Sequence, residues 1–444
     1  MSDITNLLSK EKNSKRIMEQ GEEFLAKHYN TNQIDGTKIV GLGIDGGSTQ
    51  TRVTFIPEDG DAEKLKIQYT IPSLHASTES FNRVLPQSDA LYDNMDSWID
   101  CITNKENAPF SRTRILRGTK YADAGFPKSL INSSIAKIET PAYYENLIDA
   151  ICYALIMNQE TLYTRYELFV CTSLPPDNIL SEESEKKFID KLKRKFVWEN
   201  KDLDIKFEID IKGVIVKTEP EAVVKGFSLS ASKELEGNTL LIEVGGSTVG
   251  TALLSDNRLH QAACQTFLYG GSKLKTLISN EYMKKKGESR LTAKQLEDAL
   301  NTGIIKIGRA SEDISDIVIS CKKKLADSIF ADITSLVFDS LTDLNIGIKD
   351  ISTIVFSGRG VKSGDYTDLS SSDSGKTIKY SIADALTEKF KPSTKNAEFI
   401  VLTENLIPFY NAIEAFTEFS EYLFETDDNE NENITSESLE TIEE

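Results

Sequence analysis

Two copies of one short pattern constrain this chain more than anything else in it. Lys38 to Phe55 reads KIVGLGIDGGSTQTRVTF, and Asn238 to Leu254, about 200 residues later, reads NTLLIEVGGSTVGTALL. Each opens with an apolar run suited to a buried strand: Ile39, Val40, Leu42 and Ile44 in the first, Leu240, Leu241 and Ile242 in the second. Each then carries an acid (Asp45; Glu243), turns at Gly-Gly-Ser-Thr, and resumes a β-rich run. Glycine accepts positive φ and lets backbone N–H groups come close to a ligand. Successive N–H groups in such a turn form an anion-binding nest, and an acid beside it can hold Mg²⁺ through the ion's waters. One such hairpin is compatible with an ordinary glycine-rich β-turn. Two, at this separation, predict two related half-domains, each offering a phosphate-binding hairpin to a shared cleft.

A third segment, Ser352 to Gly364 (STIVFSGRGVKSG), is an apolar strand followed by small residues. Together the three segments resemble the phosphate-1, phosphate-2 and adenosine loops of the actin, sugar-kinase and DnaK-type chaperone superfamily, in that superfamily's order. The resemblance covers about Lys38 to Phe424. It implies an α/β, two-lobed actin-like ATPase fold, with two related ribonuclease-H-like domains around a nucleotide cleft, and ATP and Mg²⁺ as ligands. On that resemblance Gly46, Gly47, Ser48, Thr49 and Gln50, with Gly245, Gly246, Ser247 and Thr248, cradle the phosphates. Asp45 and Glu243 hold hydrated Mg²⁺ from two sides. Tyr269 to Leu277 (YGGSKLKTL) places Gly270, Gly271 and Ser272 near the nucleotide, and Ser357, Gly358, Arg359 and Gly360 lie under the nucleoside, the glycines letting it approach the backbone.

Thr218 to Phe227 (TEPEAVVKGF) starts a helix, with Pro220 suited to its first position and Glu219 and Glu221 to its positive end. Glu219 reads either as a helix-end acid or as the group that orients the attacking water. The second reading follows from a likeness to the EP-containing turn of DnaK-type and bacterial actin-like proteins, and Gln50 is the other candidate for that role. Three departures from the superfamily pattern bear on hydrolysis more than on binding: Glu243 replaces the usual Asp, Val249-Gly250 stands where a second Asp is common, and Arg359 stands where a Gly is common.

Shorter segments resemble the plasmid-segregating, ParM-type members: TIPSLHAS (Thr70 to Ser77), ILRGTKYADAG (Ile115 to Gly125) and TSLPPDN (Thr172 to Asn178). A chaperone of the DnaK type would need a client-binding domain after the last helix, and only an acidic segment follows. The resemblance implies a protein that polymerises with ATP, with hydrolysis switching filament stability through hinge closure. A monomeric chaperone-like ATPase switch and a pseudo-ATPase scaffold are the alternatives. A small-molecule kinase lacks an evident substrate base, and a radical-dehydratase activator lacks the cluster-binding cysteines.

Formal net charge is −19. Nine acids and no base lie in 425–444, which leaves −10 for the rest. Such a chain is a poor direct ligand for DNA phosphates, so a DNA cargo calls for a separate DNA-binding adaptor. Five scattered cysteines without CxxC or zinc spacing suit a reducing cytoplasm. No apolar run reaches the roughly 18 residues of a membrane span, and Met1 to Arg16 has no signal-peptide pattern.

Pattern and resemblance give these boundaries: an N-terminal helical extension over 1–37, packed on the body or serving as a partner arm; domain I over 38–160 plus about 403–424, with an inserted subdomain at about 78–137; domain II over 161–402, with a helical insertion at about 278–348; and a disordered acidic tail over 425–444, for solubility or docking. Predicted strands are Lys64–Thr70, Leu168–Ser173, Ile205–Ile211, Val214–Val216 and Phe399–Leu402. Predicted helices start at Pro141, the helix that in this superfamily links the two halves, and span Ser181–Phe196 and Leu406–Phe424. The lysines at 284–286 and 322–324 read as solvated helix faces.

Overall fold

The computed structural model describes residues 33–47, 50–57, 65, 67–73, 75–78, 95–103, 108–117, 137–158, 161–179, 181–201, 203–231, 235–246, 248–256, 258–287, 290–358, 360–361, 380–402 and 405–437. In chain order the elements begin with β1 (Ile34–Gly46), β2 (Gln50–Phe55), β3 (Tyr69–Pro72), β4 (His75–Thr78), β5 (Met95–Cys101) and β6 (Arg112–Arg117). Helix α1 (Pro141–Asn158), β7 (Tyr163–Leu174), α2 (Glu182–Leu192), β8 (Lys195–Asn200), β9 (Ile205–Thr218) and α3 (Glu219–Ala231) follow. Next come β10 (Asn238–Val244), β11 (Val249–Ser255), β12 (Arg258–Phe267), α4 (Gly271–Lys286), α5 (Ala293–Thr302), β13 (Ile304–Ile307), β14 (Ala310–Asp313) and α6 (Ser315–Asp332). The last are β15 (Ile351–Ser357), α7 (Ile382–Phe390), β16 (Glu398–Val401) and α8 (Ile407–Glu437).

The chain divides into two compact units. The first runs to Leu174 and takes in Asn178–Lys217 and the chain from Ile407; the second is Pro175–Asp177 and Thr218–Leu406. In the first unit the described strands form a nine-stranded sheet ordered β3-β2-β1-β7-β9-β8-β5-β6-β4. Strand β1 pairs antiparallel with β2 and parallel with β7. Its residues Val40–Gly46 are buried without alternation, as expected for a strand covered on both faces. Helix α1 packs on β1, β2 and β3, and α8 on β1, β2 and β7. Asn411 of α8 donates to the Ile44 carbonyl at 3.0 Å and accepts from the Ser173 hydroxyl of β7 at 2.9 Å, which fixes α8 across the two strands.

From Tyr143 to Ile156 α1 is buried all round, as a helix inside the core. Polar side chains are thereby drawn into the core. Arg117, at the end of β6, forms an ion pair with Asp149 of α1, and neither side chain has any exposure. Arg117 also donates to Asn146 Oδ1 at 2.8 Å, while Asp149 accepts from the Ser97 hydroxyl at 2.5 Å and the Trp198 indole N–H at 2.8 Å.

The second unit repeats the opening of the first. Its five-stranded sheet is ordered β12-β11-β10-β15-β16. Strands β10, β11 and β12 form an antiparallel meander, as β1, β2 and β3 do, and β15 returns parallel to β10 as β7 returns to β1. The core joins Leu240, Ile242, Ile354 and Phe356 to apolar side chains of α4, α6 and α7, among them Ile278, Leu325 and Leu386. Among the described residues no helix is long and apolar enough to cross a membrane.

Several boundaries differ from those read in the sequence. The first strand begins at Ile34, not Lys38; the extension's residues 1–32 lie outside the described residues. The second unit starts at Thr218 rather than 161, because β7, β8 and β9 hydrogen-bond into the first sheet. Helix α1, read as linking the halves, belongs wholly to the first unit. Within 78–137 the described strands β5 and β6 extend that same sheet through β8. The third strand starts at Tyr69, five residues late, since only Tyr69–Pro72 lies opposite β2; Pro72 is tolerated because β3 is an edge strand.

The charged helix ends at Leu192, and Phe196 lies in β8, where Phe196 and Trp198 face the core opposite Ile209 and Phe207. The two strands predicted on either side of Gly213 are one strand, β9; Gly213 makes room for the Phe419 ring instead of ending it. Pro220 sits second in α3, where the Thr218 hydroxyl caps by accepting from Glu221 N–H at 3.2 Å. The helical insertion also contains the hairpin β13–β14. Lys322 is not solvated: it is fully buried and donates to the Tyr380 carbonyl at 2.6 Å. Helix α8 runs on to Glu437, into the segment read as a disordered acidic tail.

The Arg117–Asp149 pair sets the first stability prediction. Arg117→Met leaves a buried carboxylate without its counter-charge and should cost about 3–5 kcal/mol in urea denaturation. Adding Asp149→Asn, which removes that charge while keeping an acceptor for Ser97 and Trp198, should restore part of the loss. Equal destabilisation in single and double variants would contradict the pairing.

Candidate functional site

Both glycine hairpins exist, and their strand register shows how they correspond. The first closes at the pair Gly46↔Thr51 and the second at Val244↔Val249. Each therefore encloses four residues, 47–50 and 245–248. Asp45 and Glu243 each precede the closing pair by one residue, so the two acids are equivalent in position. The Gly-Gly-Ser-Thr runs are offset from each other by one residue: Gly46 is a strand residue, whereas Gly245 opens its turn.

In the first unit the hairpin is held by polar side chains. The Ser73 hydroxyl donates to the Gly47 carbonyl at 2.6 Å and lies 3.0 Å from the Thr51 hydroxyl. Asn146 Nδ2 donates to Thr51. The direction of this chain follows from its ends. Arg117 is donor-only, so Asn146 turns its oxygen to Arg117 and its N–H₂ to Thr51; Ser73 gives its one proton to Gly47, so Thr51 donates to Ser73. Asp45 is buried and accepts from Arg52, directly opposite on β2, at 2.9 Å. Lys137 donates from Nζ to the Gly46 carbonyl at 3.1 Å. Gln50 opens β2 opposite Pro72. Ser48 and Thr49 lie outside the described residues.

In the second unit three predicted turns meet on one stretch of backbone. Gly245 N–H closes its turn on the Thr248 carbonyl at 2.8 Å. The first amides of α4, from Gly271 and Ser272, donate to the Gly245 and Gly246 carbonyls at 3.0 and 2.8 Å. Gly270 stands at the N-cap position of that helix. Gly360 N–H donates to the Val244 carbonyl at 2.8 Å. Gly358 has φ +88°, and a Cβ there would lie 2.5 Å from the Val244 carbonyl oxygen. The sequence reading gave Gly358 and Gly360 to close approach of the nucleoside; the structure gives them a nearer reason, the packing of their turn on β10.

Glu243 is half-buried, opposite Gly250 on β11 and beside Ser357 on β15. The two departures Glu243 and Gly250 are thus neighbours, and a Cβ on Gly250 would stand 3.9 Å from Glu243 Cβ. The longer acid faces a position with no side chain. Glu219, half-buried, is the first residue of α3, which packs on β10 and β11. Tyr269, before α4, donates to Asp332; burial first and this bond second push its hydroxyl well above the ordinary range, so it stays a donor at neutral pH. Ser247 and Arg359 lie outside the described residues. Among the described residues no group of three or more His, Cys, Asp or Glu side chains could hold a metal. Asp45 and Glu243 stand as single carboxylates, each one residue before the closing pair of its hairpin.

Sequence reasoning missed Arg52, Thr51, Ser73, Asn146 and Lys137. Ser73 and Arg117 were within signals, since they belong to the TIPSLHAS and ILRGTK segments; so were Ser173 and Asn178 of TSLPPDN, whose side chains hold Asn411 and the Lys137 amide. Lys137 carried no signal.

No family model and no curated protein matches the sequence. Solved structures do match. The archaeal actin homologue Ta0583 superposes with a TM-score of 0.60 at 14% identity, over 86% of this chain and 99% of that one. The apo psk41 ParM protein gives 0.56 at 12% identity, over 86% and 99%. The pCBH ParM non-polymerisable quadruple mutant gives 0.55 at 16% identity, over 87% and 100%. With its paired meander-and-return sheets and its two acid-plus-glycine hairpins, this chain has the fold of the actin-like proteins.

Proposed function

We propose that this chain binds and hydrolyses ATP and assembles into nucleotide-dependent filaments, and that it moves plasmid or phage DNA through a separate DNA-binding adaptor. The observation that carries the reading is the repetition of one hairpin, acid and turn at the same register, in two sheets of the same opening topology. Actin-like relatives support it: Ta0583 is solved with ADP, Bacillus thuringiensis ParM with ATP, and Alp12 as a filament.

In this reading the turns at 47–50 and 245–248 bind phosphate through backbone N–H groups, and the turn at 357–360 supports the nucleoside. Phosphoryl transfer to water needs positioning and charge stabilisation more than covalent chemistry. Mg²⁺, when bound, would shield the phosphate charge. Glu243 fits a water-mediated contact to it, facing the gap at Gly250, while Asp45 would act beside the cation of Arg52. Glu219 or Gln50 would orient the attacking water. The net charge of −19 assigns DNA contact to a basic adaptor. The Asp45–Arg52 pair favours one alternative, a scaffold or switch that binds ATP and turns it over slowly, since Arg52 already compensates one of the two acids.

Right-angle light scattering of purified protein with Mg-ATP, Mg-GTP, Mg-ADP or no nucleotide tests the reading. Scattering should rise with triphosphate and stay flat in Asp45→Ala, with circular dichroism showing that variant folded. A flat wild-type trace with saturable nucleotide binding would favour the switch or scaffold. Gly358→Ala, which drives a Cβ into the Val244 carbonyl and displaces the nucleoside turn, should weaken ATP binding about tenfold or more by calorimetry.

A further inference from the structure

The 47–50 turn is joined to the core by a file of buried polar side chains, each from a different part of the chain. Asn146 comes from α1, Thr51 from the start of β2 and Ser73 from just after β3. Asn146 Nδ2 donates to Thr51 and lies 3.5 Å from Ser73 Oγ. The Thr51 and Ser73 hydroxyls are 3.0 Å apart, and Ser73 donates to the Gly47 carbonyl at 2.6 Å. Backbone pairing of Gly46 with Thr51 already closes the hairpin; the side chains add a fixed direction for the Gly47 carbonyl. A trans peptide is planar, with its carbonyl and the N–H that follows pointing opposite ways. Holding the carbonyl on Ser73 therefore turns the next N–H away from Ser73. Releasing it lets the peptide rotate, and a carbonyl oxygen turned towards an anion repels it.

The file has a direction, set at its inner end. Arg117 has only donors. Asn146 offers it the side-chain oxygen, 2.8 Å from Nη1, and the main-chain carbonyl, 3.2 Å from Nη2. The Asn146 amide nitrogen thus faces outward as a donor to Thr51, Thr51 donates to Ser73, and Ser73 donates to Gly47. Replacing the donor at the start of such a series by an acceptor forces the links after it to turn round or break. In the second unit the corresponding turn is held by backbone amides of α4 instead.

We propose that Asn146, Thr51 and Ser73 are positioning residues for phosphate binding at the first hairpin. The buried Arg117 guanidinium sets the direction of their hydrogen bonds, and that direction keeps the Gly47 carbonyl turned away from the phosphate. This rests on the nucleotide reading above and adds that phosphate affinity at the 47–50 turn is set from inside the core, by side chains that do not touch the ligand.

The test is calorimetric titration of the full chain with ATP and with adenosine, beside urea denaturation, for wild type, Ser73→Ala, Asn146→Asp, Thr51→Ser and Ile156→Ala. Ser73→Ala removes the bond to Gly47. Asn146→Asp presents Thr51 with an acceptor, so Thr51 donates inward and Ser73 keeps its bond to Thr51 only by giving up Gly47. Each should weaken ATP about five- to tenfold, the loss of one hydrogen bond, with adenosine affinity unchanged. Ser73→Ala adds no charge and decides the matter if Asn146→Asp does not fold. Thr51→Ser keeps the hydroxyl and loses a buried methyl, and Ile156→Ala opens a cavity at a fully buried position of α1. Both should lower stability yet bind ATP within about twofold of wild type. ATP affinity within about twofold of wild type in Ser73→Ala or in a folded Asn146→Asp would overturn the positioning role and leave the nucleotide reading intact. So would affinity that falls in step with stability across all four variants, or a loss shared equally by adenosine. A wild type that binds neither ligand would overturn both.

Discussion

The first unit is organised around two opposite charges that water does not reach. Arg117 and Asp149 are fully buried, and removing such ions from water costs several kcal/mol each unless geometry and further hydrogen bonds offset it. The further bonds come from Asn146, Ser97 and Trp198, so β5, β6, β8 and α1 must all converge for the pair to be tolerated. Asn146 passes the constraint outward. Its oxygen is committed to Arg117, so its amide nitrogen points to Thr51, and the chain continues through Ser73 to the Gly47 carbonyl. The position of a turn at the sheet's end is in this way set by an ion pair several side chains away. Polar networks of this kind specify one arrangement because a half-satisfied version costs more than an apolar core.

The second unit reaches the same hairpin by a different route. Its turn is held by backbone on backbone: amides of α4 on the Gly245 and Gly246 carbonyls, and the 358–360 turn on Val244. Contacts this close exclude side chains at Gly270, Gly358 and Gly360, whereas the first unit braces its turn with the side chains of Ser73, Thr51 and Asn146. The repeat is therefore one of topology and register more than of sequence. Aligning the two Gly-Gly-Ser-Thr runs letter by letter would put Asp45 against Val244. Aligning the closing pairs puts it against Glu243.

Legibility followed the range of the interaction. The glycine turns, the buried strands beside them and the order of the three loops are local patterns, and the sequence reading located them to within a few residues. The division of the chain was not local. Nothing in YELFVCTSL says that β7 pairs with β1 rather than opening a second domain; that depends on a parallel partner more than 120 residues upstream. Phe196 was assigned to a helix because KLKRKF continues a charged helical run, and only its partner Ile209 shows it to be in a strand. Lys322 was read as exposed because its neighbours Lys323 and Lys324 are, yet its ammonium meets a carbonyl 58 residues away. The short segments TIPSLHAS, ILRGTK and TSLPPDN were legible as strings without a visible purpose. In the structure each supplies a side chain that braces the first unit.

The two acids end in unlike surroundings, and register explains why. Both stand one residue before the closing pair, so each faces one residue directly across the hairpin. For Asp45 that is Arg52, and for Glu243 it is Gly250. Asp45 has a guanidinium 2.9 Å away, whereas Glu243 has no side chain directly across the hairpin. Read singly, Glu243 and Gly250 look like two losses from an ATPase pattern. Read as cross-strand neighbours they are one pair, an acid standing directly opposite a residue with no side chain.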